Sequence, residues 1–200
     1  FGQVRVDPTD PERIYVLGFE MVVSEDGGKS FKSTSAKVHS DLHALWIDPA
    51  NPDRLILGTD GGVYTSFDKA KNWNQFDNFP MGEFYEVALD NREPYWVYGG
   101  LQDNSNWMGP SAVDASVGPM ISDWILLGGG DGFYAIPDPT DPDIVYFESQ
   151  GGELVRLDRH TNKFQPMNPA PPEGLPAFRF NWNSPVAISS YNHDAVYLGG

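Results

Sequence analysis

The chain has 200 residues, with 28 acidic and 13 basic side chains and a formal net charge of −15. A surface this acidic repels phosphate backbones, so we expect no nucleic-acid partner. The absence of cysteine excludes disulfides, cysteine-based zinc sites and thiol catalysis. The 21 glycines and 17 prolines favour many turns over long helices. No apolar run approaches the roughly 18 residues that cross a bilayer, so we expect no membrane span.

A strand–turn–strand phrase occurs five times along the chain. It begins as VRVDPTDPERIYVLG at 4–18 and returns at 45–58, 87–100, 134–149 and 186–200. β-branched and aromatic residues, which favour strands, flank the turn. Within it, proline has no N–H to donate to a β-ladder, and the aspartate side chain can accept hydrogen bonds from the backbone of the turn. The anchor residues of this turn, spaced 41, 42, 48 and 51 residues apart, are Asp7, Asp48, Asp90, Asp138 and Ser189. A repeat of this length leaves room for two more strands, which is the size of a propeller blade.

The second half of the first two repeats contains a hairpin signature, the Asp box, written S-x-D-x-G-x-[S/T]-[W/F]. The carboxylate is expected to accept backbone N–H bonds in the turn, the glycine to adopt positive φ, and the ring to pack between sheets. In the second copy Ala70 replaces the glycine. We interpret these residues as structural: Ser24, Asp26, Gly28 and Phe31 in the first copy, and Ser66, Asp68 and Trp73 in the second.

Together these patterns predict an all-β protein, a β-propeller of four-stranded antiparallel blades with Asp-box hairpins, forming a partial ring of about four to five blades. We expect residues 1–200 to be a segment of a single propeller. The blade repeats are predicted near residues 2–40, 41–80, 81–131, 132–176 and 177–200. A closed ring of six to eight blades needs roughly 250–350 residues at this period. We therefore expect further propeller chain or partner subunits to cover the open sheet edges.

Several longer runs carry a resemblance to a known group of proteins. They occupy residues 39–49, 57–64, 97–104, 129–134, 148–152 and 178–185. Through them the chain resembles bacterial Asp-box (BNR-like) propeller proteins that are labelled glycosyl hydrolase or sortilin-like. The resemblance implies a carbohydrate-active propeller in a secreted, periplasmic or cell-surface location, although the segment shows no signal peptide.

A more remote likeness is to xyloglucanase-type glycoside hydrolases, which are tandem propellers. That family places one catalytic aspartate in a T-D-x-G-G-x-Y segment, and TDGGVY at 59–64 is similar, with one residue fewer after Asp60. Its second catalytic aspartate lies in a G-D-x-G-G-F segment, and the closest phrases here contain Asp103 and Asp131. The resemblance implies these three aspartates as catalytic candidates. The alternative is that each caps its own turn.

Aromatic residues near the same segments are candidates for stacking on sugar rings, and the alternative is that they form the blade core. We predict as substrate-binding residues Trp107, Trp124, Tyr64 and Tyr134. A weaker candidate for a metal site is the run of His39, Asp41 and His43, whose side chains would share one face of a strand. Structural hydrogen bonding is the preferred interpretation of that run, and we expect neither a metal nor a cofactor.

Three functional hypotheses follow from the sequence. The first is a carbohydrate-active propeller that hydrolyses or binds a polysaccharide on its loop face. The second is a non-catalytic propeller that binds protein, peptide or glycan, and the third is a structural or assembly subunit of a larger complex. The family label favours the first hypothesis. Whether the chain is an enzyme depends on a carboxylate pair about 5–5.5 Å or about 6.5–9.5 Å apart.

Overall fold

The computed structural model describes residues 2–34, 37–78 and 82–200, and these residues form β-strands, turns and one short 3-10 helix. The chain divides into two compact units, residues 1–80 and 81–200. Within the described ranges, no helix is long and apolar enough to cross a membrane.

The first unit contains two four-stranded antiparallel sheets, in which neighbouring strands follow one another along the chain. Sheet 1 consists of β1 (Gln3–Val6), β2 (Ile14–Leu17), β3 (Met21–Ser24) and β4 (Lys32–Ser33). Sheet 2 consists of β5 (Leu42–Ile47), β6 (Leu55–Thr59), β7 (Gly62–Ser66) and β8 (Asn74–Gln75). Their apolar faces form one core, whose fully buried side chains include Tyr15, Leu17, Met21, Leu42, Leu55 and Leu57.

The second unit contains two further four-stranded sheets and a two-stranded one. Sheet 3 consists of β9 (Phe84–Leu89), β10 (Trp96–Leu101), β11 (Asn106–Pro110) and β12 (Ile125–Gly128), with the 3-10 helix at Ile121–Asp123. Sheet 4 consists of β13 (Gly132–Pro137), β14 (Ile144–Ser149), β15 (Glu153–Asp158) and β16 (Lys163–Pro166). Sheet 5 consists of β17 (Val186–Ile188) and β18 (Val196–Leu198). The first strands of sheets 3 and 4, β9 and β13, lie side by side.

The predicted fold class is therefore confirmed. The protein is an all-β propeller, whose described residues form four four-stranded antiparallel blades, each a meander of consecutive strands, and the two-stranded sheet 5. The second strands of the first unit alternate buried and more exposed positions, as in β2, where Tyr15 and Leu17 are buried. This period of two is what a pleated strand imposes on side chains.

The turn between the first and second strands closes with the same backbone hydrogen bond in all five sheets. The anchor residue donates its backbone N–H to the carbonyl oxygen six positions later, at 2.8–3.3 Å. The five bonds join Asp7 to Arg13, Asp48 to Arg54, Asp90 to Trp96, Asp138 to Ile144, and Ser189 to Ala195. The sequence repeat is therefore a repeat of one hydrogen-bonded turn, which sets the register of each hairpin.

The anchor carboxylates stabilise this turn from within. Asp7 Oδ1 accepts the backbone N–H and the hydroxyl of Thr9 at 2.8 and 2.9 Å, and the N–H of Asp10 at 3.2 Å. Asp138 makes the same three bonds with the residues at matching positions of sheet 4. Burial by itself would raise the pKa of Asp7, but the bonds from Thr9 and the charge of Lys69 lower it overall.

The two predicted Asp-box hairpins join the third and fourth strands of sheets 1 and 2. Asp26 Oδ1 accepts N–H bonds from Lys29 and Ser30 at 3.0 and 2.8 Å, and the Ser24 hydroxyl at 2.8 Å. The hydroxyl of Ser30, which also bonds this carboxylate, and the N–H bond from Ser30 lower the pKa of Asp26 to about 2.

The second hairpin repeats this pattern without the glycine. Asp68 Oδ1 accepts the Ser66 hydroxyl and the backbone N–H of Asn72, both at 2.9 Å. Ala70 takes the left-handed conformation, φ 69°, that Gly28 takes in the first hairpin at 87°. Trp73 packs against the core as expected. Phe31 does not, being 45% exposed, because it directly precedes the two-residue edge strand β4.

Replacing a buried anchor carboxylate should destabilise the protein. We expect Asp7→Ala to lower the free energy of unfolding by about 2 kcal/mol, because three hydrogen bonds to a charged acceptor are lost. Asp48→Ala is the matched control, since Asp48 accepts one backbone N–H, from Ala50 at 2.9 Å, and lies near Arg54 at 3.8 Å. We expect Asp48→Ala to lower the free energy of unfolding by less than about 1 kcal/mol. Denaturant unfolding measures both, and equal losses would contradict the importance of the buried turn.

Candidate functional site

The loops that carry the predicted aspartates gather at one end of each sheet, which we call the loop end. At this end a turn joins the second strand of the sheet to the third. In sheets 2, 3 and 4 a backbone N–H of this turn donates to the carbonyl of the residue that precedes the first strand. In sheet 2 the N–H of Asp60 donates to the carbonyl of Asp41 at 3.2 Å. In sheet 4 the N–H of Gln150 donates to the carbonyl of Asp131, also at 3.2 Å. Asp60 and Asp131 therefore occupy different, defined positions of the same repeated loop.

In the first unit, Asp60 lies in the turn between β6 and β7. Its carboxylate contacts Nε2 of His43, which projects from β5. The side chain of Asp60 is 22% exposed and that of His43 is 48% exposed. The carboxylate of Asp60 therefore pairs with an imidazole on the neighbouring strand.

Tyr64 does not offer a binding face. It is buried in the core of the first unit, and its hydroxyl accepts the backbone N–H of His39 at 3.3 Å. The alternative interpretation, a core aromatic, is what the structure shows for this residue. Burial of the ring leaves no face on which a sugar could stack.

The condition for a metal site at His39, Asp41 and His43 is not met. Strand β5 begins at Leu42, so the first two residues lie before the strand. Asp41 has φ 61°, which breaks the extended alternation that would place all three side chains on one face. The backbone N–H and carbonyl of Asp41 instead join neighbouring loops, by bonds to Phe19 and from Asp60.

In the second unit, Asp131 joins the loop ends of three successive sheets. It immediately precedes β13 of sheet 4. Oδ1 accepts the backbone N–H of Asp103 from the β10–β11 turn of sheet 3 at 2.6 Å. Oδ2 accepts the indole N–H of Trp182, which precedes sheet 5, at 2.9 Å. The structure thus brings Asp103 and Asp131 together, because the backbone N–H of Asp103 donates to the carboxylate of Asp131.

An aromatic pair stands beside this carboxylate. Tyr85 of β9 stacks on Phe133 of β13, with ring centroids 4.7 Å apart and planes inclined by 24°. Phe133 is buried, whereas Tyr85 is partly exposed. Burial raises the pKa of the Tyr85 hydroxyl, and the negative charges of Asp131 and Asp103 raise it further. Tyr85 is therefore close enough to both aspartates to sense their charge.

The other predicted aromatic residues lie elsewhere in the second unit. Trp107 is half-buried on β11 and donates its indole N–H to the carbonyl of Asn104 at 2.6 Å. Trp124 follows the 3-10 helix and packs over Gly109, where a Cβ would clash with the indole ring. Tyr134 is half-buried. Burial raises the pKa of its hydroxyl, and the negative charges of Glu86 and Glu148 raise it further.

Two residues at this loop end were missed by the sequence prediction. Neither Trp182 nor Glu148 is among the predicted site residues, although both lie in runs that carry the family resemblance. The signal for Glu148 was available, because it ends the apolar run IVYF of a strand that is buried at every position. The bond between Trp182 and Asp131, by contrast, joins residues 51 positions apart and has no local signal.

Glu148 is fully buried behind the loop end. Oε1 accepts backbone N–H bonds from Gly152 at 3.2 Å and Ser184 at 3.4 Å, while Oε2 has no hydrogen-bond partner. Burial raises its pKa to about 7, although the bonds from Ser184 and Gly152 act in the opposite direction. A carboxyl without exposed surface cannot touch a ligand, so its role here is to join sheets 4 and 5.

The site at Asp131 has the chemistry of a polar-and-aromatic binding surface. A carboxylate offers about four lone-pair positions, and two N–H donors leave part of that capacity for hydroxyl groups. Trp182 is 62% exposed. Fold and site together define a class: an all-β propeller with an acidic, aromatic loop end.

Comparison with known proteins finds relatives among propeller enzymes. The chain is 25% identical over 167 residues to an oligoxyloglucan-reducing end-specific xyloglucanase of Emericella nidulans, covering 74% of this chain and 19% of that protein. It is 31% identical over 94 residues to a probable enzyme of the same description from Neosartorya fischeri, covering 38% of this chain and 12% of that protein. The chain thus spans less than a fifth of the length of these curated relatives.

Among solved structures, the GH74 enzyme of Niastella koreensis aligns over 98% of this chain and 33% of its own, with 16% identity and a TM-score of 0.40. No protein-family model matches the sequence.

The buried carboxyl of Glu148 should make stability depend on pH. Its pKa of about 7 in the folded state lies above its ordinary value of 4.5, so the folded state holds the proton more tightly than the unfolded state. The unfolding free energy should fall as pH rises from about 4.5 to 7, by roughly 3 kcal/mol. Glu148→Gln should remove this slope.

The measurement is denaturant unfolding at pH 5, 6, 7 and 8, with Glu153→Gln as the control, because Glu153 is exposed in the same sheet. His160, whose pKa is raised by Asp141, also contributes to the pH dependence. The difference between wild type and Glu148→Gln isolates the Glu148 contribution. Parallel pH profiles for the two proteins would contradict the assignment.

Proposed function

We propose that this protein binds a polysaccharide at the loop end of its second unit and acts as part of a carbohydrate-active propeller. The observation that carries the proposal is the convergence on Asp131, which accepts N–H bonds from Asp103 and Trp182. The similarity to xyloglucanases over 74% of the chain supports a carbohydrate ligand.

The chemistry of the loop end matches that of a sugar. A pyranose presents C–H groups on its faces and hydroxyl groups around its rim. Trp182 and Tyr85 supply partly exposed aromatic surface, and the carboxylate oxygens of Asp131 can accept hydroxyl protons. Strong negative charge disfavours an anionic ligand, because the chain as a whole carries −15.

The geometry of the second unit favours binding over hydrolysis. Hydrolysis of a glycosidic bond requires one carboxyl group that donates a proton and a second that attacks or activates water. Asp131 is already engaged by N–H donors on both oxygens. Glu148 has the raised pKa expected of a proton donor but is fully buried. Within the second unit, neither group fits the role of an accessible acid.

Hydrolysis with Asp60 is a second candidate function. It is favoured by the pairing of the Asp60 carboxylate with the His43 imidazole at the partly exposed loop end of the first unit. The TDGGVY segment and the relatives' description as xyloglucanases support the same candidate. Hydrolysis would also need a second carboxyl group besides that of Asp60.

We propose membership of the bacterial Asp-box (BNR-like), sortilin-like group, and the hairpins at Asp26 and Asp68 support it. We also propose that the chain is a segment of a single propeller and that the protein is secreted, periplasmic or on the cell surface. Binding of a protein or peptide, or a role as an assembly subunit, are the alternatives that the experiments below distinguish.

Removal of the Asp131 carboxylate should weaken polysaccharide binding. We expect Asp131→Ala to reduce affinity for xyloglucan or mixed-linkage β-glucan by at least about tenfold, because it releases both Asp103 and Trp182. Asp114→Ala is the control, since Asp114 is an exposed aspartate of the same unit. Affinity electrophoresis and isothermal titration measure the effect. If wild type binds neither polysaccharide, or if both variants bind equally well, the proposal is wrong.

Hydrolysis is tested separately by reducing-end release from the same polysaccharides. If Asp60 is catalytic, Asp60→Ala should lower the rate by more than about 100-fold, while polysaccharide binding at the second unit should be retained. Asp77→Ala provides an exposed-aspartate control in the first unit. Absence of hydrolysis by wild type, together with retained binding, would leave a binding module as the function of this chain.

A further inference from the structure

The segment that precedes sheet 5 alternates aromatic and polar residues. Residues 178–183 read Phe-Arg-Phe-Asn-Trp-Asn, so that three rings occur at every second position. The three polar residues of this run are exposed. We call the residues Phe178, Phe180 and Trp182 the aromatic strip.

The aromatic strip is fastened to sheet 4 on one side. The N–H of Gly151 donates to the carbonyl of Trp182 at 3.0 Å, and the N–H of Ser184 donates to the buried carboxyl of Glu148 at 3.4 Å. Gly152 has φ 77°, and a Cβ there would lie 2.5 Å from the ring of Phe180. A glycine is therefore required at 152, because it lets this ring seat against the turn.

The other side of the strip faces solvent. Phe178 is 49% exposed and Trp182 is 62% exposed, while Phe180 is half-buried between them. The rings of Phe178 and Phe180 are 6.4 Å apart and inclined by 55°. The indole N–H of Trp182 is bonded to Asp131, which holds the ring by its edge. These contacts hold exposed aromatic side chains in place before any ligand arrives, which lowers the ordering cost of binding.

We propose that the aromatic strip is the binding subsite for a neutral oligosaccharide, whose sugar rings stack on Trp182 and Phe178. This inference rests on the proposed function and extends it to a defined ligand class. The carboxylate of Asp131 lies at one end of the strip, so it disfavours uronic acids and other anionic sugars. Side chains that can donate hydrogen bonds, Arg179, Asn181 and Asn183, alternate with the rings and suit a ligand bordered by hydroxyl groups.

The chemistry of the strip is less suited to the other occupants. An apolar protein surface would leave the interleaved Arg179 and Asn181 side chains without partners on burial. A basic peptide could pair with Asp131, and titration with an oligolysine peptide distinguishes it from a sugar. A neutral sugar uses the ring faces and leaves the N–H bonds to Asp131 intact.

The test is titration of the 200-residue protein with cellohexaose as the neutral probe and hexagalacturonate as the anionic one. Trp182→Ala should weaken cellohexaose binding by about tenfold, and Phe178→Ala by a smaller factor. Tyr197→Ala is the matched control, because Tyr197 is also 62% exposed and lies in sheet 5. Trp182→Phe keeps a ring but loses the N–H bond to Asp131, so it should fall between wild type and Trp182→Ala.

The outcomes separate this inference from the proposed function. If wild type binds cellohexaose and neither Trp182→Ala nor Trp182→Phe changes the affinity, the strip is not the subsite, whereas polysaccharide binding stands. If hexagalacturonate binds more tightly than cellohexaose, the assignment of a neutral ligand is overturned. If wild type binds neither probe but binds an oligolysine peptide, both proposals fail. Circular dichroism confirms folding, and if Trp182→Ala is unfolded, Trp182→Phe and Phe178→Ala decide.

Discussion

The turn that closes the first hairpin of every sheet is the interaction on which the rest of the structure depends. In it the anchor residue bonds to the carbonyl six positions later, and in sheets 1 and 4 the buried carboxylates of Asp7 and Asp138 hold it from within. Because a strand alternates its side chains with a period of two, a slip of one residue at this turn would move the apolar residues of a strand to its other face. A correctly closed turn therefore places the core on the right side of each blade.

The opposite end of the sheets is held by bonds between loops as well as within them. In the second unit, the turn of sheet 3 donates from Ser105 to the carbonyl of Gly130, and the turn of sheet 4 donates from Gly151 to that of Trp182. Asp131 adds its carboxylate to these bonds and so ties three sheets together. Residues from sheets that are separate in sequence thereby become neighbours, and the polar and aromatic groups proposed to bind sugar depend on this arrangement.

Glu148 shows how closely stability and the proposed site are coupled. Its carboxyl receives the N–H of Ser184, two residues after Trp182, and it is buried without a partner for its second oxygen. Burial raises the pKa of this carboxyl because the charged form loses its contact with water. The segment that carries the aromatic strip is thus anchored by a group whose charge changes near neutral pH.

The sequence by itself determined the fold class and the position of the repeated turns. Alternating strands and Asp-Pro turns act through neighbouring residues, so their signal is local, and all five anchor residues form the same bond. It also placed Asp131 and Asp103 among the functional candidates. It did not reveal that Tyr64 is a core residue, that Asp41 leaves the strand, or that Trp182 rather than Trp107 or Trp124 bonds to Asp131. Those outcomes were decided by the tertiary structure, because burial and contacts between residues some 50 positions apart arise only when separate sheets pack together.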